Sequence, residues 1–142
     1  MKVLLLAGKS AEVNGVNPAL KKTGQELLIY LQIQRIQSYG CQVDVILDAS
    51  YGEDILRNSQ TIKNCEIVFD TQNTPTSNYH AALHCCSKDF FILPLSEVCP
   101  EREVWMRMIQ NMATSGYRKK AHIARPYCPI NGTMHAGQLV YI

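Results

Sequence analysis

Residues 104–142 contain no aspartate or glutamate: all twelve acids lie at or before Glu103, while Arg107, Arg118, Lys119, Lys120 and Arg125 follow it. This makes the C-terminal part a candidate anion-facing surface, although Arg118-Lys119-Lys120 reads more simply as a solvated turn after a helix. Charge is sparse, at 18% of 142 residues with a formal net of +2, so bulk electrostatics points to neither a nucleic acid nor a membrane. No apolar stretch is long enough to span a bilayer, and repeats and low-complexity segments are missing. The six cysteines, Cys41, Cys65, Cys85, Cys86, Cys99 and Cys128, form no Cys-x-x-Cys pair, and the apolar run before Lys9 is too short for the core of a signal peptide. Reduced, mostly buried thiols in a cytoplasmic protein are therefore expected, as one domain over residues 1–142. Gly-x-Ser-x-Gly, catalytic-cysteine and Gly-x-Gly-x-x-Gly signatures are absent too, which leaves hydrolase and dehydrogenase chemistry without support and predicts no redox cofactor.

What is present is an alternation of apolar runs and helical patterns. Val3-Leu4-Leu5-Leu6-Ala7 and Phe90-Phe91-Ile92-Leu93 are continuously apolar, as central parallel strands covered on both faces must be. Val43 to Leu47 and Glu66 to Phe69 supply two more strands, the latter closing on Asp70. Thr23-Gly24-Gln25-Glu26 has the spacing of a capping box before a helix carrying Leu27, Leu28, Leu31, Ile33 and Ile36, stopped at Gly40. Shorter helices are expected over residues 53–58, from Thr76 or Ser77 through Cys86, and from Pro100 to Gly116 with Val104, Trp105, Met108, Ile109 and Met112 on the buried side. Residues 121–124 and 138–142 read as closing strands. The order implies an α/β, Rossmann-like, doubly wound and mostly parallel sheet, whose ligand crevice lies at the carboxyl ends of the central strands. Residues 8–18, 70–78 and 94–99 should surround it.

Gly8-Lys9-Ser10 resembles the end of a P-loop, but that motif needs a glycine where Val3 stands. A looser reading keeps residues 8–18 as a glycine-containing loop whose amides, with Lys9 or Ser10, can face a phosphate; an ordinary connector is the alternative. His80 and His84 share a helix face beside Cys85, a spacing that suits a soft divalent ion, yet histidines simply exposed or capped are commoner. Asp70, at a strand end, is either a metal-binding carboxylate or the cap of the next turn.

Taken in order, the pieces resemble the nucleotidyltransferase domain of the molybdenum cofactor guanylyltransferase (MobA-like) family. Leu4-Leu5-Leu6-Ala7-Gly8-Lys9-Ser10 is similar to the family's Leu-Ala-Gly-Gly-x-Ser opening. Pro18-Ala19-Leu20 and Gly24-Gln25-Glu26-Leu27-Leu28 resemble its Lys-x-Leu and Gly-x-x-Leu segments. Asp70 and Thr74 to Leu83 resemble the acidic residue and the Gly-Pro-x-x-Gly-x-x-x-Ala-Leu run, Leu93-Pro94-Leu95-Ser96 the Leu-Pro-Cys-Asp metal site, and Asn131 to His135 the late Gly-x-x-His stretch.

The resemblance implies a nucleotidyltransferase-type fold, with Ala7, Gly8, Lys9, Ser10, Asp70 and Asn78 binding a nucleotide. It makes Lys9 a catalytic candidate, with Lys21 or the neighbouring Lys22 as a substitute for the family's lysine, and it puts Ser96 at a Mg2+ site with Glu97, one residue on, as the rescuing carboxylate. It also marks the departures: Lys9 for the second glycine, Pro18 for the lysine, Ser96 for the metal-binding aspartate, and a shortened C-terminal part. A neutral hydroxyl is a weak ligand for a hard dication, and nucleotidyl transfer relies on metal and cationic groups. The expectation is therefore a degenerate relative that binds a GTP-like nucleotide or a pterin, alone or with a protein partner or second copy, around molybdenum cofactor metabolism, with weak or lost transferase activity. The alternatives are an active, divergent Mg2+-dependent transferase and a small metal-binding or scaffold module.

Overall fold

The computed structural model describes residues 2–51, 64–85, 90–95, 101–114, 127–130, 133–136 and 140–141. In chain order its elements are β1 (Lys2–Leu6), β2 (Lys22–Thr23), β3 (Glu26–Leu27), α1 (Leu28–Ser38), β4 (Gln42–Asp48), β5 (Cys65–Asp70), α2 (Pro75–His84), β6 (Phe90–Pro94), α3 (Arg102–Thr114), β7 (Tyr127–Ile130), β8 (Thr133–Ala136) and β9 (Val140–Tyr141). Five strands form one sheet in the order β5-β4-β1-β6-β9. The first four run parallel, and β9 returns antiparallel with Phe91 opposite Tyr141.

The continuous apolar runs earn their central places. Val3, Leu4, Leu5 and Leu6 are all fully buried, and because successive strand residues face opposite sides they divide between two cores. Val3 and Leu5 pack with Ile29, Ile33 and Ile36 of α1 and Trp105 of α3, whereas Leu4 and Leu6 pack with Ile46, Ile92 and Ala82 of α2. Helices thus cover both faces, the doubly wound arrangement expected. Trp105 lies against Phe91, ring centroids 5.0 Å apart. Asp44, buried in mid-strand, pairs with Lys2 from the neighbouring strand and accepts the Glu66 amide at 3.2 Å, so its charge is compensated locally. Cys41, Cys65 and Cys85 are free thiols, and burial with the nearby Asp44 and Glu66 carboxylates pushes Cys65 up to about 12. No helix among the described residues is long and apolar enough to cross a membrane.

Several local expectations are corrected. Thr23 and Glu26 are not a capping box: they face each other across an antiparallel hairpin, β2 with β3, and α1 begins at Leu28 without a side-chain cap. Gly24 has φ +70, a turn conformation that most side chains resist, and this tips the segment toward a hairpin. The cap of α2 is Thr74, ahead of Thr76 and Ser77, in a reciprocal box with Ser77. Val104 is half exposed, so only Trp105 of that pair faces the core. The β7–β8 hairpin has no counterpart among the expected elements. The expected helix over 53–58, the strand over 121–124, Cys86, Pro100 and Gly116 lie outside the described residues.

Candidate functional site

The strand order reverses beside β1, since β4 and β5 lie on one side of it and β6 on the other. The segments leaving the carboxyl ends of these strands therefore meet at a switch point. At the end of β1 the Ala7 amide continues the sheet onto the Ile46 carbonyl at 2.8 Å, and Leu95 after β6 donates to the Leu6 carbonyl at 2.8 Å.

The segment after Ala7 is a chain of small, self-bonded turns. Lys9–Ala11 forms one helical turn, in which the Ala11 amide reaches the Gly8 carbonyl at 2.9 Å and the Glu12 amide the Lys9 carbonyl at 3.2 Å. Val13 and Val16 then exchange both backbone hydrogen bonds around Asn14 and Gly15, whose φ values of 51 and 76 are those of a tight hairpin turn. Asn17 anchors the return: its Nδ2 donates to the Ala7 carbonyl at 2.8 Å and its Oδ1 accepts the Ala19 amide at 2.9 Å, capping the Pro18–Leu20 turn.

Behind this loop stands a buried polar hub. Asn78 is fully buried, donates through Nδ2 to Asp70 Oδ2 at 2.7 Å and Asp48 Oδ1 at 3.0 Å, and accepts the Ser10 amide on Oδ1 at 2.8 Å. The two carboxylates fix which end of the amide carries the nitrogen. Asp48 and Asp70 are register partners on β4 and β5, so the sheet itself sets them side by side. Asp70 Oδ2 also accepts from the Ser77 hydroxyl, and Oδ1 from the Gln72 amide at 2.9 Å. Burial alone would raise the Asp70 pKa; the hydrogen bonds from Ser77, Asn78 and the Gln72 and Asn73 amides outweigh it and hold the carboxyl below its ordinary range. Gly8 fits over the hub because it has no side chain: a Cβ there would stand 2.4 Å from Asp48 Oδ1 and 2.7 Å from Asn78 Oδ1.

The structure brings together Ala7, Gly8, Ser10, Asp70 and Asn78, but it gives most of them a bracing role. Ala7 and Asn78 use their polar groups inside the protein. Ser10 gives its amide to Asn78, while its hydroxyl oxygen is buried and meets no partner among the described residues. Lys9 pairs with Glu12 at 3.0 Å. Lys21 is exposed, and its carbonyl receives the Leu28 amide at 2.8 Å, where the β2–β3 hairpin meets α1. Ser96 and Glu97, expected at a Mg2+ site, lie outside the described residues. Among the described residues no three histidine, cysteine or acidic side chains converge on a metal position, and both His80 and His84 are exposed. Both Asp70 oxygens already accept hydrogen bonds. Asp70 thus gives its lone pairs to protein donors, and among the described residues it lacks the further ligands that would make it a site for a hard dication.

Sequence reasoning missed two residues here. Asn17 carries a legible signal, since Asn-Pro marks a turn start. Asp48 carries none: an acid after an apolar run reads as a strand end, and only the fold sets it against Gly8 and Asn78.

The architecture is the α/β, Rossmann-like nucleotidyltransferase fold. Among solved structures, the chain is similar to the bifunctional IspDF from Campylobacter jejuni, with a TM-score of 0.67, 13% identity, and coverage of 98% of this chain and 40% of that one. It is also similar to the 4-diphosphocytidyl-2C-methyl-D-erythritol synthase from Anaerococcus prevotii DSM 20548, with a TM-score of 0.69, 7% identity, and coverage of 99% of this chain and 69% of that one. The chain thus spans well under half of the first structure, and at such identities the likeness is one of fold. No protein-family model and no curated protein matches the sequence.

Proposed function

We propose that this chain binds a nucleotide at the Gly8–Ser10 turn and does not turn it over efficiently. The observation that carries the reading is the turn itself. It lies at the switch point of a nucleotidyltransferase fold, it is held by Asn17 and Asn78, and it keeps the buried Ser10 hydroxyl without a partner among the described residues. Such a braced turn suits an anion or ribose contact. Weak or lost transfer fits the rest of the site. Lys9 is paired with Glu12, Asp70 is occupied by hydrogen bonds, and Ser96 replaces an acid in the sequence resemblance. A GTP-like ligand, an accessory role linked to molybdenum cofactor metabolism and a pterin or protein partner are the finer readings that the MobA-like sequence pattern supports. A cytosine nucleotide is the competing choice, because one structural neighbour is named for a diphosphocytidyl product.

A thermal-shift series with guanine, cytosine and adenine nucleotides, each with and without magnesium, tests this. Metal-independent stabilisation by one base is expected. Magnesium-dependent stabilisation with pyrophosphate release would identify an active transferase instead, and no response to any nucleotide would end the nucleotide reading.

A further inference from the structure

Among the described residues, the buried side of the turn is lined by carboxylates. Asp48 stands directly against Gly8, and Asp70 lies one hydrogen bond further, through Asn78. Lys9, the cation of the turn itself, already holds Glu12 Oε1 at 3.0 Å. This pair is built into the loop. The Glu12 side chain is only 13% exposed, its amide closes the helical turn onto Lys9, and the next residue is locked by both backbone bonds to Val16. The turn's own ammonium is thus shared with Glu12, and the turn is backed by the buried Asp48 and Asp70.

Resting on the nucleotide reading above, we propose that the site takes a nucleotide of low charge, a nucleoside monophosphate in preference to a triphosphate, and that Glu12 sets this preference by holding the Lys9 ammonium. An incoming phosphate oxygen must displace the Glu12 carboxylate or accept only part of the Lys9 charge. Every further phosphate then adds negative charge near Asp48 while the Lys9 charge stays shared with Glu12. A monophosphate meets less of this repulsion and can still use the Ser10 hydroxyl and the turn.

Titration calorimetry of the purified chain with GMP and GTP, and with CMP and CTP, in metal-free buffer decides it. Wild type should bind the monophosphate about threefold to tenfold more tightly than the triphosphate of the same base, the range expected for a few screened charges. Glu12→Gln, near-isosteric, should remove or reverse that ratio by strengthening the triphosphate, and Glu12→Ala should do the same if charge rather than shape is responsible. Tighter triphosphate binding by wild type, or a ratio unchanged in both variants, overturns the inference while leaving nucleotide binding intact. No binding of any of the four ligands to any of the proteins overturns both.

Discussion

Replacing Asn78 with aspartate changes one NH2 group to an oxygen and leaves shape almost untouched, which makes it the sharpest probe of the buried hub. The new carboxylate still accepts the Ser10 amide, but it faces Asp70 Oδ2 and Asp48 Oδ1 where the wild type donates at 2.7 and 3.0 Å. Two hydrogen bonds to charged acceptors are lost, each worth about 1.5–3 kcal/mol, so the loss is roughly 3–6 kcal/mol before like-charge repulsion is counted. Against a typical total of about 5–15 kcal/mol this leaves a marginal fold. Asn78→Ala loses the same donors without adding charge, but it also loses the acceptor for the Ser10 amide and leaves a void, so an Asn78→Asp protein less stable than Asn78→Ala shows a repulsion larger than those two losses. Crowding raises the carboxyl pKa values in folded Asn78→Asp, and protonation restores an O–H donor. Its stability is therefore greatest below the unfolded value, near 3.8 for an aspartate, and is lost as pH rises through the raised folded value. Between about pH 7 and pH 5 the variant should gain stability on acidification, whereas wild type should hold level. Urea unfolding followed by Trp105 fluorescence measures this, since Trp105 is the single tryptophan and is fully buried. A loss under about 1 kcal/mol, or an identical pH slope in the two proteins, would refute the bridging role assigned to Asn78.

Two further outcomes follow from the same geometry. Gly8→Ala places a methyl group against Asp48 and Asn78, and since these belong to a bonded hub it should cost about 1–3 kcal/mol in urea unfolding and weaken nucleotide binding together; a Gly8→Ala protein as stable as wild type would show that the hub yields easily. In wild type, Asp70 has a depressed folded pKa, so its contribution is present above its ordinary 3.8 and is lost as pH falls through the lower folded value. Acid unfolding curves of Asp70→Asn should accordingly be flatter below about pH 5 than those of wild type, and parallel curves would count against the assigned hydrogen bonds.

The sheet was readable because its central strands are apolar without interruption, and burial on both faces leaves few other uses for such runs. Local turns were harder. Thr23 and Glu26 stand three residues apart in both a capping box and a two-residue hairpin, so spacing alone cannot separate them; the positive φ at Gly24 does. Tyr127–Ile130 and Thr133–Ala136 flank Asn131-Gly132, a dipeptide whose hairpin signal is stronger than its likeness to a family stretch. At the candidate site, the family resemblance pointed to Gly8, Ser10, Asp70 and Asn78 as ligand contacts, but it gave no sign of the hydrogen bonds that tie them to one another inside the fold. A sequence shows that an asparagine is present; it does not show that both ends of its amide are taken by Asp48, Asp70 and Ser10, which lie 30, 8 and 68 positions away.

The turns between Ala7 and Leu20 close on themselves, with Val13 and Val16 tied to each other and Asn17 tied to both ends of its own excursion. A loop in that condition has little conformational freedom left to lose. A ligand bound there, as proposed, would meet a surface already in its final shape, so association need not wait for a closing motion, and differences in affinity among ligands should appear mainly in how fast they leave.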